Sequence, residues 1–168
     1  DTSFMGGLSL LWGFGDPHEA KVIRCMQEKR PFFHMDHAYF KRGYEHGNFR
    51  VNFGHFHQTK LLDVPGDRSA LAKKRLEDWR QGREIVVIVP SERICMVLGA
   101  LLNKIIKPKD WCRETELELK KHTDRPIVRK EKGGSLMDNL RTAHAVVSLS
   151  SVADVEGAVR GVPVFTSW

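Results

Sequence analysis

Hydroxyl and acidic side chains follow a buried apolar segment near the end of the chain, where Leu-Ser-Ser-Val-Ala-Asp-Val-Glu continues from Ala-His-Ala-Val-Val-Ser. A strand that passes into a helix leaves free backbone N–H groups and the positive end of the helix dipole at the turn, and both favour a phosphate. Ser148, Ser150 and Ser151 could donate to this phosphate, while Glu156 could accept from a ribose diol. A simple N-cap by Ser150 or Ser151 explains the same pattern equally well.

A second candidate group is basic, because Arg129, Lys130 and Lys132 follow the apolar Pro-Ile-Val segment and precede two glycines. Cations at the carboxyl end of a strand suit a diphosphate whose charge grows as a leaving group departs. A solvated basic loop is the alternative. Since parallel strands bring their carboxyl ends to one edge, we expect a nucleotide diphosphate to lie between Ser91, Arg129 and Ser151.

Three residues near the start of the chain are candidate general bases. Asp36 and His37 end the apolar segment Phe-Phe-His-Met, and Asp16 lies in the turn Gly-Phe-Gly-Asp-Pro-His. A carboxylate or imidazole at the edge of a cleft can take the proton of an acceptor hydroxyl, so Asp36 is the first choice, followed by His37 or Asp16. The structural alternatives are an N-cap for Asp16 and a core or cleft position for His37.

Five of the eight histidines lie between residues 34 and 57, yet no zinc-binding spacing is matched and we predict no metal site. Cations and rings in the same stretch could instead hold phosphates and stack bases. The candidate nucleic-acid residues are Arg42, Tyr44, Arg50 and His55. A hairpin that packs its Phe residues inward is the alternative.

The elements that must position these residues alternate between strand and helix. An apolar strand within residues 7–13, a helix and a second strand over residues 32–37 predict a β-α-β unit, and the period-two residues Phe49, Val51 and Phe53 predict an antiparallel strand. Later, a β-branched run from Glu84 predicts a central parallel strand, followed by helices over residues 94–106 and 111–122, the second with Asp110 as its N-cap.

The last segment, residues 123–168, predicts strand, helix, strand, helix, strand. Together these patterns predict an α/β fold with mostly parallel sheets. We expect a first lobe over residues 1–62, a basic connection over residues 63–83 with a helix from Leu71 to Trp79, and a second lobe over residues 84–168.

The composition limits the setting. A hydrophobic fraction of 41% over 168 residues supports a real core, and the net charge of +6 suits either a polyanionic partner or simple solubility. Three widely spaced cysteines argue against a disulfide framework and favour a reducing cytoplasm. Neither a signal peptide nor a membrane-spanning run is visible, so we expect a cytoplasmic protein with no membrane partner.

The segments Thr-Asp-Arg-Pro-Ile-Val-Arg-Lys and Ala-His-Ala-Val-Val-Ser-Leu-Ser-Ser-Val-Ala-Asp-Val-Glu-Gly-Ala-Val-Arg-Gly-Val-Pro-Val-Phe resemble the C-terminal half of GT-B-type glycosyltransferases. The likeness is greatest to the capsule-polysaccharide and sialyltransferase-like branch and to small bacteriophage proteins, which Phe-His-Met-Asp-His-Ala-Tyr-Phe also resembles. In those families a Lys-Pro-His-Pro segment and a Ser-Ser or Ser-Asn pair hold the sugar nucleotide. In this chain Lys-Glu-Lys-Gly stands in place of the Lys-Pro-His-Pro segment. The resemblance places Arg129, Lys130 and Lys132 at the first segment, Ser150 and Ser151 at the pair, and Glu156 at the ribose.

The resemblance implies a compact GT-B-like arrangement of two Rossmann-like lobes. The reduced N-terminal lobe, residues 1–62, would be the acceptor-side lobe, and the C-terminal lobe, residues 84–168, would bind the nucleotide sugar. It implies transfer of a sugar from a nucleotide-diphosphate donor, foremost a UDP-sugar, to a hydroxyl, with no further cofactor required. Together with the basic charge, the resemblance implies as acceptor either a 5-hydroxymethylpyrimidine in phage DNA, which would place the protein in the host cytoplasm, or a glycan. Because the first lobe is short for an acceptor domain, a non-catalytic nucleotide- or nucleic-acid-binding module is the alternative. The sequence predicts no oligomeric state.

Overall fold

The structure is a computed structural model that describes residues 8–13, 18–40, 45–56 and 76–166. The chain divides into two compact units. The first comprises Asp1–Arg68 with Ala100–Asn103, and the second comprises Ser69–Gly99 with Lys104–Trp168. The predicted α/β class is confirmed, since both units combine strands with helices. Among the described residues, no helix is long and apolar enough to cross a membrane.

The first unit contains a three-stranded sheet in the order β1-β2-β3. Strand β1 (Ser9–Trp12), helix α1 (His18–Gln27) and strand β2 (Phe32–His37) form the β-α-β unit that the sequence predicts, with β1 parallel to β2. Strand β3 (Phe49–Phe53) pairs antiparallel with β2, also as predicted. Helix α1 packs against β1, where Val22 and Leu11 are buried.

The two faces of β3 are the reverse of the inward-packed hairpin that we considered as an alternative. Phe49 and Phe53 are 42% and 63% exposed, whereas Asn52 between them is buried. Asn52 can face inward because its amide Nδ2 donates to the Phe56 carbonyl oxygen at 3.0 Å, which satisfies a polar group that would otherwise be costly to bury. The predicted period-two alternation of β3 is therefore confirmed, but the side with Arg50 and Asn52 faces the core and the side with the Phe residues is exposed.

The second unit contains a four-stranded, all-parallel sheet in the order β5-β4-β6-β7. Its strands are β4 (Glu84–Ile88), β5 (Ile127–Lys130), β6 (Ala143–Ser148) and β7 (Val164–Thr166). Alternate residues of β4 enter two apolar clusters, Val86 and Ile88 in one and Ile85 and Val87 in the other. Both faces of the sheet are thus covered, as the β-branched run predicts.

Within the described residues, four helices connect these strands: α2 (Glu92–Leu102), α3 (Pro108–Leu119), α4 (Leu136–Thr142) and α5 (Val152–Val159). Helices α2 and α3 both begin and end earlier than predicted. Helix α2 ends where Asn103 takes a positive φ of 51°, and Lys104 N–H donates to the Gly99 carbonyl at 2.9 Å. The predicted N-cap at Asp110 is wrong because Pro108, whose fixed φ suits the first helical turn, starts α3 after Lys107.

Residues 76–83, here called the crossing segment, run along the second unit without forming a helix. The helix predicted from Leu71 to Trp79 is therefore wrong over residues 76–79, and residues 71–75 lie outside the described residues. Three backbone N–H groups of the segment donate to carbonyls of the unit: Glu77 to Val159 at 2.8 Å, Arg80 to Gly161 at 3.0 Å, and Arg83 to Thr142 at 2.8 Å. These bonds fasten the segment to the ends of α4 and α5.

All three cysteines are free thiols. Cys95 and Cys112 are buried, and burial raises the pKa of both thiols, which keeps them protonated and unreactive.

Candidate functional site

The strand order of the second unit creates a point where the winding of the chain reverses. From β4 the chain passes to β5 on one side, then returns to β6 on the other side of β4 and continues outward to β7. In open parallel sheets, ligands bind outside the carboxyl ends of the strands at such a switch point. Ser91 follows β4, while Ser150 and Ser151 follow β6, so the fold brings these predicted residues to the same edge.

Ser151 is the N-cap of α5. Its Oγ accepts from the Ala153 N–H at 3.1 Å, and the Asp154 carboxylate accepts from the Ser151 N–H at 3.1 Å, which completes a capping box. Ser148 is buried and its hydroxyl donates to the same Asp154 oxygen at 2.7 Å. The Ser148 and Ser151 side chains are thus part of the turn itself, and Glu156 lies half-buried further along α5.

Asp154 organises this turn, and the sequence analysis did not single it out. Its Oδ2 holds both Ser148 and Ser151, whereas its Oδ1 is buried without a hydrogen-bond partner in the described part of the chain. Burial raises the pKa of the Asp154 carboxyl, and the two donors oppose this effect less strongly. The Ser-x-x-Asp spacing of a capping box was the signal that would have identified it.

Ser91 lies at the start of α2, and its Oγ accepts from the Ile94 N–H at 3.2 Å. Helices α2 and α5 therefore both begin at the switch-point edge, and a serine immediately precedes each of them, Ser91 and Ser151. The partial positive charge of each helix dipole is greatest there. This arrangement can attract an anion through backbone groups, without a cationic side chain.

The basic residues at the end of β5 are engaged mainly with the protein itself, whereas Lys132 lies in the loop that follows. Arg129 forms a two-pronged ion pair with Glu116 of α3, with Nη2 2.8 Å from Oε2, and this lowers the pKa of Glu116. Lys130 Nζ donates to the carbonyl oxygens of Glu131, at 2.6 Å, and Gly133. Lys132 is exposed and forms no hydrogen bond or ion pair within the described ranges. Of the three predicted cations, Lys132 is the one available to a ligand.

In the first unit, two predicted residues with different roles meet as an ion pair. Arg50 Nη2 lies 3.1 Å from Asp36 Oδ2, across the register that pairs β2 with β3. Arg50 Nη1 also donates to the Tyr39 hydroxyl at 2.7 Å, and its guanidinium lies 4.9 Å from the centre of the Tyr39 ring. The second Asp36 oxygen accepts from the His37 backbone N–H at 2.7 Å. Tyr39, which the sequence analysis missed, thus helps to hold the Asp36 and Arg50 pair.

His37 and His55 lie among aromatic rings. Because successive strand residues point to opposite faces, the His37 side chain lies on the other face of the sheet from Asp36. Its ring is 5.6 Å from those of Trp12 and Phe49. His55 stacks on Phe56, with ring centres 4.7 Å apart.

His34 is fully buried, and its Nε2 lies 3.2 Å from the Gly13 carbonyl oxygen. Burial lowers the pKa of His34, which favours a neutral ring that donates to this carbonyl. Within the described residues, no cluster of three His, Cys, Asp or Glu side chains could hold a metal ion. Asp16, Arg42 and Tyr44 lie outside the described residues.

No protein-family model matches the chain, and no curated protein sequence is significantly similar to it. Two clusters therefore carry the functional argument: the serine-lined edge at the ends of β4 and β6, and the Asp36, Arg50 and Tyr39 group at the end of β2.

Proposed function

We propose that the chain is a glycosyltransferase that binds a nucleotide-diphosphate sugar at the carboxyl edge of β4 and β6. The observation that supports this most strongly is the switch point of the parallel sheet, where Ser91, Ser150 and Ser151 follow the two strands. The resemblance of residues 123–168 to GT-B-type enzymes supports the sugar nucleotide as ligand. A GT-B-like arrangement of two Rossmann-like lobes is part of the same proposal.

In this proposal the diphosphate is held by backbone N–H groups at the starts of α2 and α5 and by Lys132. Arg129 and Lys130 contribute less, because Glu116 and the carbonyls of their own loop already hold them. Glu156 accepts from the ribose, and the donor is a UDP-sugar. No metal or other cofactor is required.

Asp36 is the proposed general base toward the acceptor hydroxyl. An ionised carboxylate has about four lone-pair directions, and one contact with Arg50 and one with the His37 N–H leave room for a substrate hydroxyl. The acceptor is a hydroxymethylated pyrimidine in DNA or a glycan. The net charge of +6 supports the nucleic acid.

The test measures sugar transfer from UDP-sugars to hydroxymethylated DNA and to glycans, together with donor binding by calorimetry. Asp36→Asn should lower turnover by about 10²–10⁴-fold while donor affinity is retained, because it removes a base and not a donor contact. Asp124→Asn, on an exposed aspartate of the second unit, is the matched control and should be neutral. Equal turnover in the two variants would remove Asp36 from the mechanism.

Donor binding has its own pair of variants. Lys132→Ala should weaken donor affinity by about 5–30-fold, the loss expected for one charge-assisted contact. Lys109→Ala, another exposed lysine of the second unit, should leave it unchanged. If no nucleotide binds the wild-type protein, the proposal fails at its first step.

A non-catalytic nucleotide- or nucleic-acid-binding module is the second candidate. The engagement of Arg129 and Lys130 favours it, since these cations would otherwise stabilise a departing diphosphate. Tight donor binding with neither hydrolysis nor transfer, on any acceptor, would select the module. A DNA partner further requires that affinity fall steeply with added salt, and a flat response would exclude DNA.

A further inference from the structure

Apart from His37, one face of the first unit's sheet carries only apolar and aromatic side chains among the described residues. The register aligns its side chains in rows across the three strands: Leu10 with Phe33 and Phe53, Trp12 with Met35 and Val51, and His37 with Phe49, while Leu8 extends the face before β1. We call these nine residues the open face. It contains no Asp, Glu, Lys or Arg. The opposite face carries the buried residues Leu11, Phe32, His34 and Asn52.

The open face exposes a large amount of apolar surface. Five of its side chains have between 36% and 63% of their surface exposed: Leu8, Leu10, Phe49, Val51 and Phe53. Since a large apolar side chain presents roughly 150–250 Å², these five contribute about 450 Å². An interface of standard size buries about 800 Å² on each partner, and a little over half of that is apolar. The open face therefore matches the apolar part of one half of a standard interface.

Parallel strands normally have both faces covered, so an apolar face that leaves large side chains exposed among the described residues, beside the parallel pair β1 and β2, is unfavourable in water. We propose that the open face is the interface between two copies of this chain, packed sheet against sheet about a two-fold axis. The inference is independent of the proposed function.

Three features favour a second copy as the occupant. A two-fold interface must be complementary to itself, and a flat apolar sheet face meets this condition without matched charges. Two molecules of net charge +6 repel each other, and a face without charged side chains lets them approach without bringing like charges together. The apolar area is also what a standard dimer requires.

The test measures the mass of the full chain in solution by sedimentation and by light scattering, over a range of concentration. The wild type should convert from monomer to dimer as the concentration rises, with half-conversion below about 100 µM. Val51→Lys places a charge on β3, in the central row of the open face that also contains Trp12 and Met35. It should weaken dimerisation at least about 10-fold.

Two further variants keep the result interpretable. Phe53→Ser removes a ring that is 63% exposed, so it should keep the far-ultraviolet circular dichroism of the wild type while also weakening dimerisation. Ile105→Lys makes the same change as Val51→Lys at an 88% exposed residue of the second unit and should leave the dimer intact. A wild type that stays monomeric up to about 100 µM, whether because the face is bare, covered by another part of the chain or meant for a different protein, would overturn the proposal. A dimer that persists in folded Val51→Lys, or that Ile105→Lys dissociates equally, would overturn it too.

Discussion

Replacing Gly161 by alanine should destabilise the second unit strongly, because this glycine lies directly under the crossing segment. A Cβ atom at position 161 would lie 1.9 Å from the Asp78 carbonyl oxygen and 3.1 Å from that of Glu77. The backbone of Gly161 also has a φ of +68°, which L side chains rarely adopt. The variant therefore combines an unfavourable dihedral angle with a contact that a backbone oxygen cannot avoid by rotating.

The size of the effect follows from what must move. The left-handed backbone costs alanine about 1–2 kcal/mol. To relieve the contact, the crossing segment must move away and lose the hydrogen bonds from Glu77 to Val159 and from Arg80 to Gly161, each contributing about 0.5–1.5 kcal/mol. The free energy of unfolding should fall by about 3 kcal/mol, which lowers the urea midpoint by about 1–2 M.

Two other glycines separate the two causes. Gly133 has a φ of +98° with nothing within 4 Å of a built Cβ, so Gly133→Ala should cost only about 1 kcal/mol. A Cβ on Gly82, which has no positive φ, would lie 2.0 Å from the Ala143 carbonyl oxygen, so Gly82→Ala should cost about 2 kcal/mol through contact alone. Equilibrium urea unfolding followed by circular dichroism measures all three. If Gly161→Ala shifts the midpoint no more than Gly133→Ala, the crossing segment is not held as described.

Three other predictions concern the two faces of β3, the turn that Asp154 holds, and the ion pair of Arg129 with Glu116. Asn52→Ala should cost about 1–2 kcal/mol, because it removes a buried hydrogen bond, whereas Phe53→Ser should change the free energy of unfolding by less than about 1 kcal/mol in urea titrations. Because burial raises the pKa of Asp154 above its ordinary 3.8, its contribution to stability is present below that value and is lost as pH rises through the raised pKa; Asp154→Asn should therefore flatten this part of the pH profile of urea midpoints. Glu116→Gln should release Arg129 and raise nucleotide affinity in calorimetry, at a stability cost under about 1 kcal/mol for this partly exposed pair.

The order of the elements was predictable because each depends on a local pattern. The β-branched run of β4 indicated a strand covered on both faces, and its residues do alternate between two apolar clusters. The faces of β3 were not predictable in the same way. Period-two alternation shows that a strand has two different faces, but which one is buried depends on partners elsewhere in the chain. Asn52 is inside because the Phe56 carbonyl accepts from it, and Arg50 because Asp36 and Tyr39 hold it.

The same limit applies to the candidate site. Ser91, Ser150 and Ser151 could be placed at one edge because parallel strands bring successive carboxyl ends together, and the strand order agrees. The ion pair of Arg129 with Glu116 could not be foreseen, because Glu116 belongs to helix α3 and Arg129 to strand β5, and nothing in the local sequence links the two.

The source of positive charge at the switch-point edge bears on the choice between an enzyme and a binding module. Two helix N-termini offer fixed, partial positive charges, and such charges accelerate a reaction only if they lie where the departing diphosphate gains negative charge. Turnover requires charge that interacts more strongly with the departing diphosphate than with the intact donor. Lys132 can supply such charge, because no hydrogen bond or ion pair within the described residues holds its side chain, whereas Arg129 can do so only by leaving Glu116. If Arg129 takes part in catalysis, donor binding competes with the Arg129 and Glu116 pair, and the gain in affinity in Glu116→Gln should be accompanied by a gain in turnover.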